Sequence, residues 1–122
     1  MFCNVTLIGN LGANPEIRTT SSGRRVANLR VAVTETWKDK AGEKRERTTW
    51  HRVEVWSQGA VKAIETCLAK GSKVHVEGAL RYRGTWTDQQ GVAHPDVRIV
   101  VEAPGHKVLF LTPRPAANQA AA

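Results

Sequence analysis

Tryptophans with basic neighbours are the feature of this sequence best suited to binding a ligand. The stretch TTWHRVEVWS at residues 48–57 has the aromatic and β-branched content of a strand, whose side chains alternate between two faces. Val53 and Val55 would share the core face. The opposite face would carry the remaining side chains: Trp50, Arg52, Glu54 and Trp56. Two tryptophans with an arginine between them on an outer face indicate a binding surface.

The other two tryptophans also have cations nearby. Their basic neighbours are Lys38 and Lys40 after Trp37, and Arg81 and Arg83 before Trp86. Stacking a nucleobase on an aromatic ring contributes about 1–3 kcal/mol with little dependence on the base, and Lys and Arg neutralise phosphates. Because a duplex hides the faces of its bases, this combination favours a single strand. The same tryptophans could instead lie in a subunit interface or in the core.

Signatures of catalysis and of metal or cofactor binding do not occur in the sequence. The four histidines lie far apart without HExxH or paired-cysteine spacing, and neither GxxxxGK[ST] nor GxSxG is present. Cys3 and Cys67 are therefore expected to be small buried side chains rather than a disulfide. We predict that the protein is not an enzyme and needs no metal or cofactor.

Length and charge restrict the class of protein further. The 122 residues fit one domain, and 41% hydrophobic with 24% charged residues is typical of a globular chain. The net charge of +7 suggests a polyanionic partner. No apolar run approaches the roughly 20 residues of a membrane span, and the N-terminus lacks signal-peptide features. We expect a cytoplasmic protein that does not bind membranes.

Alternating apolar residues predict that strands make up most of the chain. The predicted strands cover 3–9, 24–37, 48–57, 72–83, 96–103 and 106–111, with long hairpin tips at 38–47 and 84–94. In the fourth strand, the side chains expected to face the core are Val74, Val76, Leu80 and Tyr82. Residues 57–71 have helical spacing, with Ser57 as the N-cap and Gly71 at the C-terminal end.

This order of elements favours an all-β fold, a five-stranded OB-fold barrel with one α-helix between strands 3 and 4 and long β-hairpins. A β-sandwich is the structural alternative, but it has no need of that helix. We assign residues 1–111 to the barrel domain. Residues 112–122 have little to bury and are predicted to be a short disordered tail.

Segments along the whole domain resemble the bacterial single-stranded DNA-binding protein family. In order, they are VTLIGNLGANPEIR, VAVTETWKDKAGE, TTWHRVEVW, LAKGSKVHVEGALRYR and WTDQQG, within residues 4–111. The resemblance implies an OB fold, assembled as a homotetramer, that binds single-stranded DNA without sequence preference. It also implies work in DNA replication, recombination and repair, at a cytoplasmic, nucleoid-associated location.

The resemblance implies roles for individual residues as well. Base stacking is expected of Trp37, Trp50, Trp56 and Trp86. Phosphate contacts are expected of Arg18, Lys38, Lys40, Arg52, Lys70, Arg81 and Arg83. Alternation along the strands independently places Arg52, Arg81 and Arg83 on an outer face.

The sequence departs from the family pattern at three places. Ser57-Gln58 stands where the family often has Gly-Lys, and Gly84-Thr85 adds one residue before Trp86. No acidic residue follows Glu102, whereas family members commonly end in an acidic tip that recruits replication and repair proteins. We therefore expect a short form that binds DNA but does not capture those partners.

Other interpretations of the same sequence are a primosome-type accessory OB protein, which is dimeric and also lacks the acidic tip, and an oligomeric scaffold with its tryptophans buried between subunits. An RNA chaperone is a third, although the aromatic-rich RNP signatures are missing from the sequence.

Overall fold

The computed structural model describes residues 3–111. Its elements, in chain order, are β1 (Val5–Leu11), β2 (Glu16–Thr19), β3 (Arg25–Lys38), β4 (Lys44–Val55), α1 (Gln58–Cys67), β5 (Lys73–Thr87), β6 (Ala93–Val101) and β7 (Lys107–Phe110). The predicted tail at 112–122 lies outside the described residues. Within 3–111, no helix is long and apolar enough to cross a membrane.

Five strands close into a barrel. β1, β3, β4, β6 and β5 pair in that order, and β1 also pairs with β5, so the sheet returns on itself. These pairings are antiparallel except β4–β6, which is parallel. β2 pairs with β3, and β7 pairs with β5. The predicted OB barrel, with a helix between its third and fourth strands, is confirmed, and the β-sandwich is wrong.

The inside of the barrel holds the branched residues that alternation predicted. Val53 and Val55 of β4 are completely buried, and Val31 of β3 packs in the same core. α1 adds Val61 and Ile64 to this core. Burying each such side chain contributes about 1.5–3 kcal/mol, so packing rather than intrinsic propensity stabilises the short helix.

Both hairpins have longer strands and shorter turns than predicted. β3 and β4 pair as far as Lys38 and Lys44, so the predicted tip at 38–47 is wrong for residues 44–47. Asp39 closes the turn by accepting hydrogen bonds from the backbone N–H groups of Ala41 and Glu43, both at 2.9 Å. In the same way β5 continues to Thr87, and the second turn is confined to 88–92. The hairpins therefore project from the barrel as two-stranded arms.

Ser57 is the N-cap residue of α1, as predicted, but the C-terminal end of the helix differs from the prediction. The helix ends at Cys67 rather than near Gly71, and the Ser57 side chain makes no capping hydrogen bond. Gly71 has a φ of +94°, but it lies in a separate turn, where its N–H donates to the Leu11 carbonyl at 2.8 Å. Its role is to join β1 to the segment before β5.

The prediction that Leu80 and Tyr82 face the core is wrong. They are 51% and 64% exposed. β5 pairs with β1 only as far as Gly78, and from Tyr82 onward its described partner is β6 alone. Leu80 and Tyr82 have the parity of core residues, but they lie beyond Gly78, the last residue of β5 that pairs with β1. Val74 and Val76, earlier in the same strand, are buried as expected.

Candidate nucleic-acid interface

Four arginines stand side by side on the outer face of the barrel. Arg52 of β4 is paired in register with Arg30 of β3 on one side and with Arg98 of β6 on the other, and Arg98 is paired with Arg81 of β5. Directly paired residues in a sheet project from the same face. We call Arg30, Arg52, Arg98 and Arg81 the arginine row. Like charges in this arrangement repel, so the row needs anions between its members.

Two carboxylates supply this compensation. Glu54 accepts hydrogen bonds from Arg98 at 2.7 Å and from Arg83 at 2.6 Å, and it is 7% exposed. Asp96 accepts from Arg98 at 3.2 Å and lies 3.9 Å from the Arg52 guanidinium. Charge-assisted pairs of this kind fix the orientation of a guanidinium. Arg98 is therefore held from both sides, whereas Arg52, with a 53% exposed side chain, keeps most of its surface open.

The ionisation of these groups reflects the same contacts. Burial by itself would raise the pKa of Glu54, but the hydrogen bonds from Arg98 and Arg83 outweigh it and hold that pKa below its usual range. The hydrogen bond from Arg98 likewise lowers the pKa of Asp96, and Asp96 raises the pKa of Arg98 in return. Both carboxylates are thus ionised at neutral pH.

Two adjoining grooves lie along this face. The first, of about 530 Å³, includes Arg18, Asn28 and Trp56 in its lining. The second, of about 340 Å³, includes Trp50 and Trp86. Arg30 and Arg52 line both, so the grooves form one path from Trp56 across the arginine row to Trp86. The path has cations in its middle and indole rings along its length.

Trp50 is the most open of the tryptophans, at 55% exposed, and its ring lies 5.6 Å from the Arg30 guanidinium. Gly12 lies against the indole: a Cβ at that position would come within 2.1 Å of Cζ3. Only glycine leaves room for the ring in this position. The parity prediction for Trp50 and Arg52 is confirmed by their exposure.

Trp56 is half-buried at the end of the first groove. Its ring lies 5.2 Å from the Arg24 guanidinium, and its Nε1–H donates to Glu54 at 3.4 Å. A cation near the ring and an anion at its N–H fix the plane of the indole.

Trp37 lies apart from the two grooves, near the tip of the β3–β4 arm. It is 43% exposed, with Arg47 from the opposing strand 5.6 Å from its ring. Lys38 and Lys40 are exposed at the same tip. The arm thus carries a second aromatic and basic cluster that a long ligand could reach.

Trp86 lies on the other arm and stacks on His94 with ring centroids 4.6 Å apart. His94 Nε2 is 2.7 Å from Asp88 at the turn. The hydrogen bond from His94 lowers the pKa of Asp88, as do bonds from the turn backbone. The extra residue at Gly84-Thr85 is accommodated by an irregularity in the β5–β6 pairing between Tyr82 and Thr85.

The predicted phosphate-contact residues occupy different environments. Arg18 lines the first groove but pairs with Glu16 at 2.5 Å. Arg83 is held by Glu54, and Arg81 is exposed at the end of the arginine row. Lys70 is exposed beside Asn14, whose side chain accepts from its backbone N–H, and it is not among the residues that line either groove.

Several residues of the face were not predicted. Arg24, Arg30, Arg98 and Asn28 all line the grooves or contact a tryptophan. The outward parity of Asn28 and Arg30 along the second strand was a usable signal. Arg98 had no comparable signal, because its position depends on the parallel pairing of β4 with β6.

The described residues contain no cluster suited to a metal ion, and neither cysteine forms a disulfide. Within 3–111, no group of three or more His, Cys, Asp or Glu side chains is placed to hold a metal ion. Both cysteines are free thiols; Cys67 is half-buried, and the prediction that Cys3 is buried is wrong, because it is exposed ahead of β1.

The matching family model decides the affiliation of the chain. The model described as the single-strand binding protein family matches residues 2–111. The chain belongs to the single-strand binding protein family. The match includes the barrel, both arms and every residue of the arginine row.

Known relatives in the family agree with this. A single-stranded DNA-binding protein of Rickettsia felis is 44% identical over 108 residues, which cover 88% of this chain and 70% of the relative. One of Rhizobium meliloti is 48% identical over 99 residues, covering 80% and 56% respectively. Among solved structures, the Plasmodium falciparum SSB complex with ssDNA is 30% identical with a TM-score of 0.79, covering 92% of this chain and 97% of that one. The OB fold is thus shared with a family member bound to DNA.

Proposed function

We propose that this protein binds single-stranded DNA without sequence preference and protects it during replication, recombination and repair. The observation that carries the proposal is the path of two grooves from Trp56 to Trp86, with Arg30 and Arg52 shared between them. Family membership and the DNA-bound structural neighbour support it. Nothing in this mode of binding requires a reaction at the DNA, a metal or a cofactor, so we propose a protein without catalytic activity.

Base stacking on tryptophan is the first part of the proposed mechanism. Trp50 and Trp86 are each about half exposed, and Trp56 has an open side toward the first groove. The rings are already held by Arg30, His94 and Arg24, so little side-chain freedom is lost when a base stacks. Stacking accepts any base because every base has a π face.

Phosphate neutralisation is the second part. We propose phosphate contacts for Arg18, Lys38, Lys40, Arg52, Lys70, Arg81 and Arg83, and we add Arg24, which lies near the Trp56 ring, and Arg30, which lines both grooves. Arg83 and Arg98 already share Glu54, so they should release fewer counterions than the open guanidiniums of Arg30 and Arg52. The path from Trp56 to Trp86 takes a short strand, and the Trp37 cluster on the β3–β4 arm extends it.

We propose further that residues 1–111 act as the DNA-binding domain of a homotetramer at the nucleoid in the cytoplasm. Ile8 and Leu109 flank His75 across β1, β5 and β7 and are 47% and 45% exposed. We propose that these two exposed apolar side chains contribute to a subunit contact. A measured mass of four chains would support the tetramer, and a mass of two would favour the primosome-type accessory protein.

Quenching of tryptophan fluorescence tests the proposed function directly. Oligothymidine should quench the emission strongly at low salt and weakly at high salt, whereas a duplex of equal length should have little effect. RNA of the same length, added as a competitor, tests the chaperone alternative. If no oligonucleotide quenches the emission at low salt, the rings face protein rather than bases, and a scaffold role replaces the proposal.

A further inference from the structure

Trp86 has only one face available to a ligand. It lies directly opposite His94 in the β5–β6 pairing, and the two rings stack with their planes 25° from parallel. Trp86 is nevertheless 45% exposed and lines the second groove. The imidazole thus covers one side of the indole, and a nucleobase can reach the other.

His94 is itself anchored to the turn of the arm. Its Nε2 is 2.7 Å from the Asp88 carboxylate, and the other carboxylate oxygen accepts from the N–H groups of Gln90 and Val92, both at 2.9 Å. The turn fixes Asp88, Asp88 fixes the imidazole, and the imidazole fixes the plane of Trp86. Without this support the indole would be free to rotate on an otherwise exposed arm.

The contacts also determine where a proton can be gained. Because Nε2 faces a carboxylate, we assign the hydrogen of the neutral ring to Nε2, which leaves Nδ1 as the nitrogen to which a proton would be added. A protonated imidazole forms an ion pair with Asp88 and a cation–π contact with the indole. Its charge would also lie beside Trp86, which lines the second groove.

We propose that His94 is a positioning residue that, held by Asp88, presents Trp86 to single-stranded DNA, and that protonation of its Nδ1 strengthens binding at Trp86. This inference rests on the proposed DNA-binding function. It assigns to the β5–β6 arm a pH-responsive part of the binding path, distinct from Trp50 and Trp56, whose rings are held by arginines.

Other charged groups around His94 must be separated from its effect. Asp88 approaches from the turn, and Asp96 lies on the same strand. Across the second groove are Arg30 of β3 and His51 and Arg52 of β4. His51 is the other imidazole among these groups, so the two histidines have to be distinguished by substitution.

A double-mutant cycle between His94 and Trp86 tests the positioning role. Affinity for fluorescein-labelled oligothymidine would be measured for the full chain and for His94→Ala, Trp86→Ala and the double variant. His94→Ala should weaken binding by on the order of threefold to tenfold in the parent but by less than about twofold when Trp86 is already alanine. Equal losses in both backgrounds would overturn the role, because His94 would then act independently of the indole.

The pH dependence of DNA affinity tests whether protonation of His94 strengthens binding. The parent chain should bind oligothymidine on the order of threefold more tightly at about pH 5.5 than at about pH 8. His94→Phe keeps a ring against Trp86 but carries no proton, so it should lose most of this ratio. His106→Phe is the matched control, since His106 lies in the turn before β7 and accepts from the Ala103 N–H at 3.1 Å, away from both grooves. It should leave the ratio unchanged.

The outcomes separate this inference from the function on which it rests. If the parent chain fails to bind oligothymidine at every pH, both the proposed function and the inference fall. If the parent binds and His94→Phe keeps the full pH ratio, the inference alone is wrong. Circular dichroism of each variant verifies that the barrel is folded, and His94→Phe retains the aromatic stack should His94→Ala lose stability.

Discussion

Glu54 and Arg98 form an ion pair 2.7 Å long that joins β4 to β6 in the middle of the face bearing the tryptophans. The same carboxylate binds Arg83 and the Trp56 indole N–H. This buried anion, at the centre of a surface proposed to bind a polyanion, is compensated by two guanidiniums, those of Arg83 and Arg98. Glu54 fixes the orientation of the Arg83 and Arg98 guanidiniums and neutralises part of their positive charge.

Removing the Glu54 charge should strengthen the electrostatic part of DNA binding while weakening the fold. In Glu54→Gln, Arg83 and Arg98 lose an anionic partner, so the plot of log K against log salt should steepen by up to about 0.7 for each guanidinium released. Unfolding in urea should require about 1–3 kcal/mol less. Glu65→Gln on α1, which removes a carboxylate paired with Arg25, is the charge-matched control and should leave the slope unchanged. A shallower slope in Glu54→Gln would contradict the expectation.

Trp50→Ala and Trp56→Ala should each weaken binding of a short oligothymidine by about 1–3 kcal/mol, because each removes one stacking platform. Trp37→Ala should have little effect on that short strand and a larger effect on a strand long enough to reach the β3–β4 arm. Titrations with strands of increasing length measure this difference. A length-independent loss for Trp37→Ala would place its ring in the central path instead.

Arg30→Ala should reduce affinity more than Lys70→Ala. Arg30 lines both grooves and contacts the Trp50 ring, whereas Lys70 is not among the residues lining either groove. The salt slope should become shallower by about 0.7 in Arg30→Ala if the guanidinium neutralises one phosphate. Equal effects of the two substitutions would mean that net charge, rather than position along the path, governs binding.

Gly12→Ala should impair binding without unfolding the barrel. The added Cβ would come within 2.1 Å of Cζ3 of Trp50, so the exposed indole must move away, which it can do at small cost to the core. Affinity for oligothymidine should approach that of Trp50→Ala. Gly59→Ala, where an added Cβ meets nothing within 4 Å, is the control and should bind normally. Full affinity in Gly12→Ala would show that this position of the ring is not needed.

Acid should destabilise the fold through its paired carboxylates. The pKa values of Glu54, Asp88 and Asp96 are all lowered in the folded chain, from usual values of 4.5 for Glu and 3.8 for Asp. Their stabilising contribution is complete above those usual values and is lost as the pH falls through the lower folded ones. The unfolding free energy in urea should therefore change little between about pH 7 and 5 and fall below that. The unfolding free energy of Glu54→Gln should fall less over the same pH range. An equal fall would show that Glu54 does not contribute to the acid sensitivity.

The fold was largely predictable because its core follows simple alternation. Val53 and Val55 specified the inner side of β4, and helical spacing located α1. The arms were not predictable in the same way, since a two-stranded ribbon exposed on both sides needs no apolar periodicity. Charged residues such as those at 44–47 pair there through their backbones. Because these residues show no apolar alternation, their sequence pattern predicts a loop.

The positions of the site residues were predictable only where alternation along a single strand determines which face a side chain lies on. Parity along β4 placed Trp50, Arg52 and Trp56 on one face, as found. The same parity gave Glu54 an outer position but no reason to be buried, because its partners Arg83 and Arg98 lie on other strands. The strand register determines which cations pair with a carboxylate and which remain open to a phosphate. The register between β4 and β6 cannot be predicted from the sequence of either strand alone.

The parallel pairing of β4 with β6 also has a consequence for how the chain folds. Arg52 and Arg98 are separated in the chain by α1, β5 and the second turn, so their pairing closes a long loop of the barrel wall. Such non-local pairing places a chain among the slower folders, on a timescale of about milliseconds to seconds. The arginine row cannot exist in a fragment or in a nascent chain that ends before β6. DNA that engages it would thus select molecules whose barrel is complete and, by mass action, would slow their unfolding.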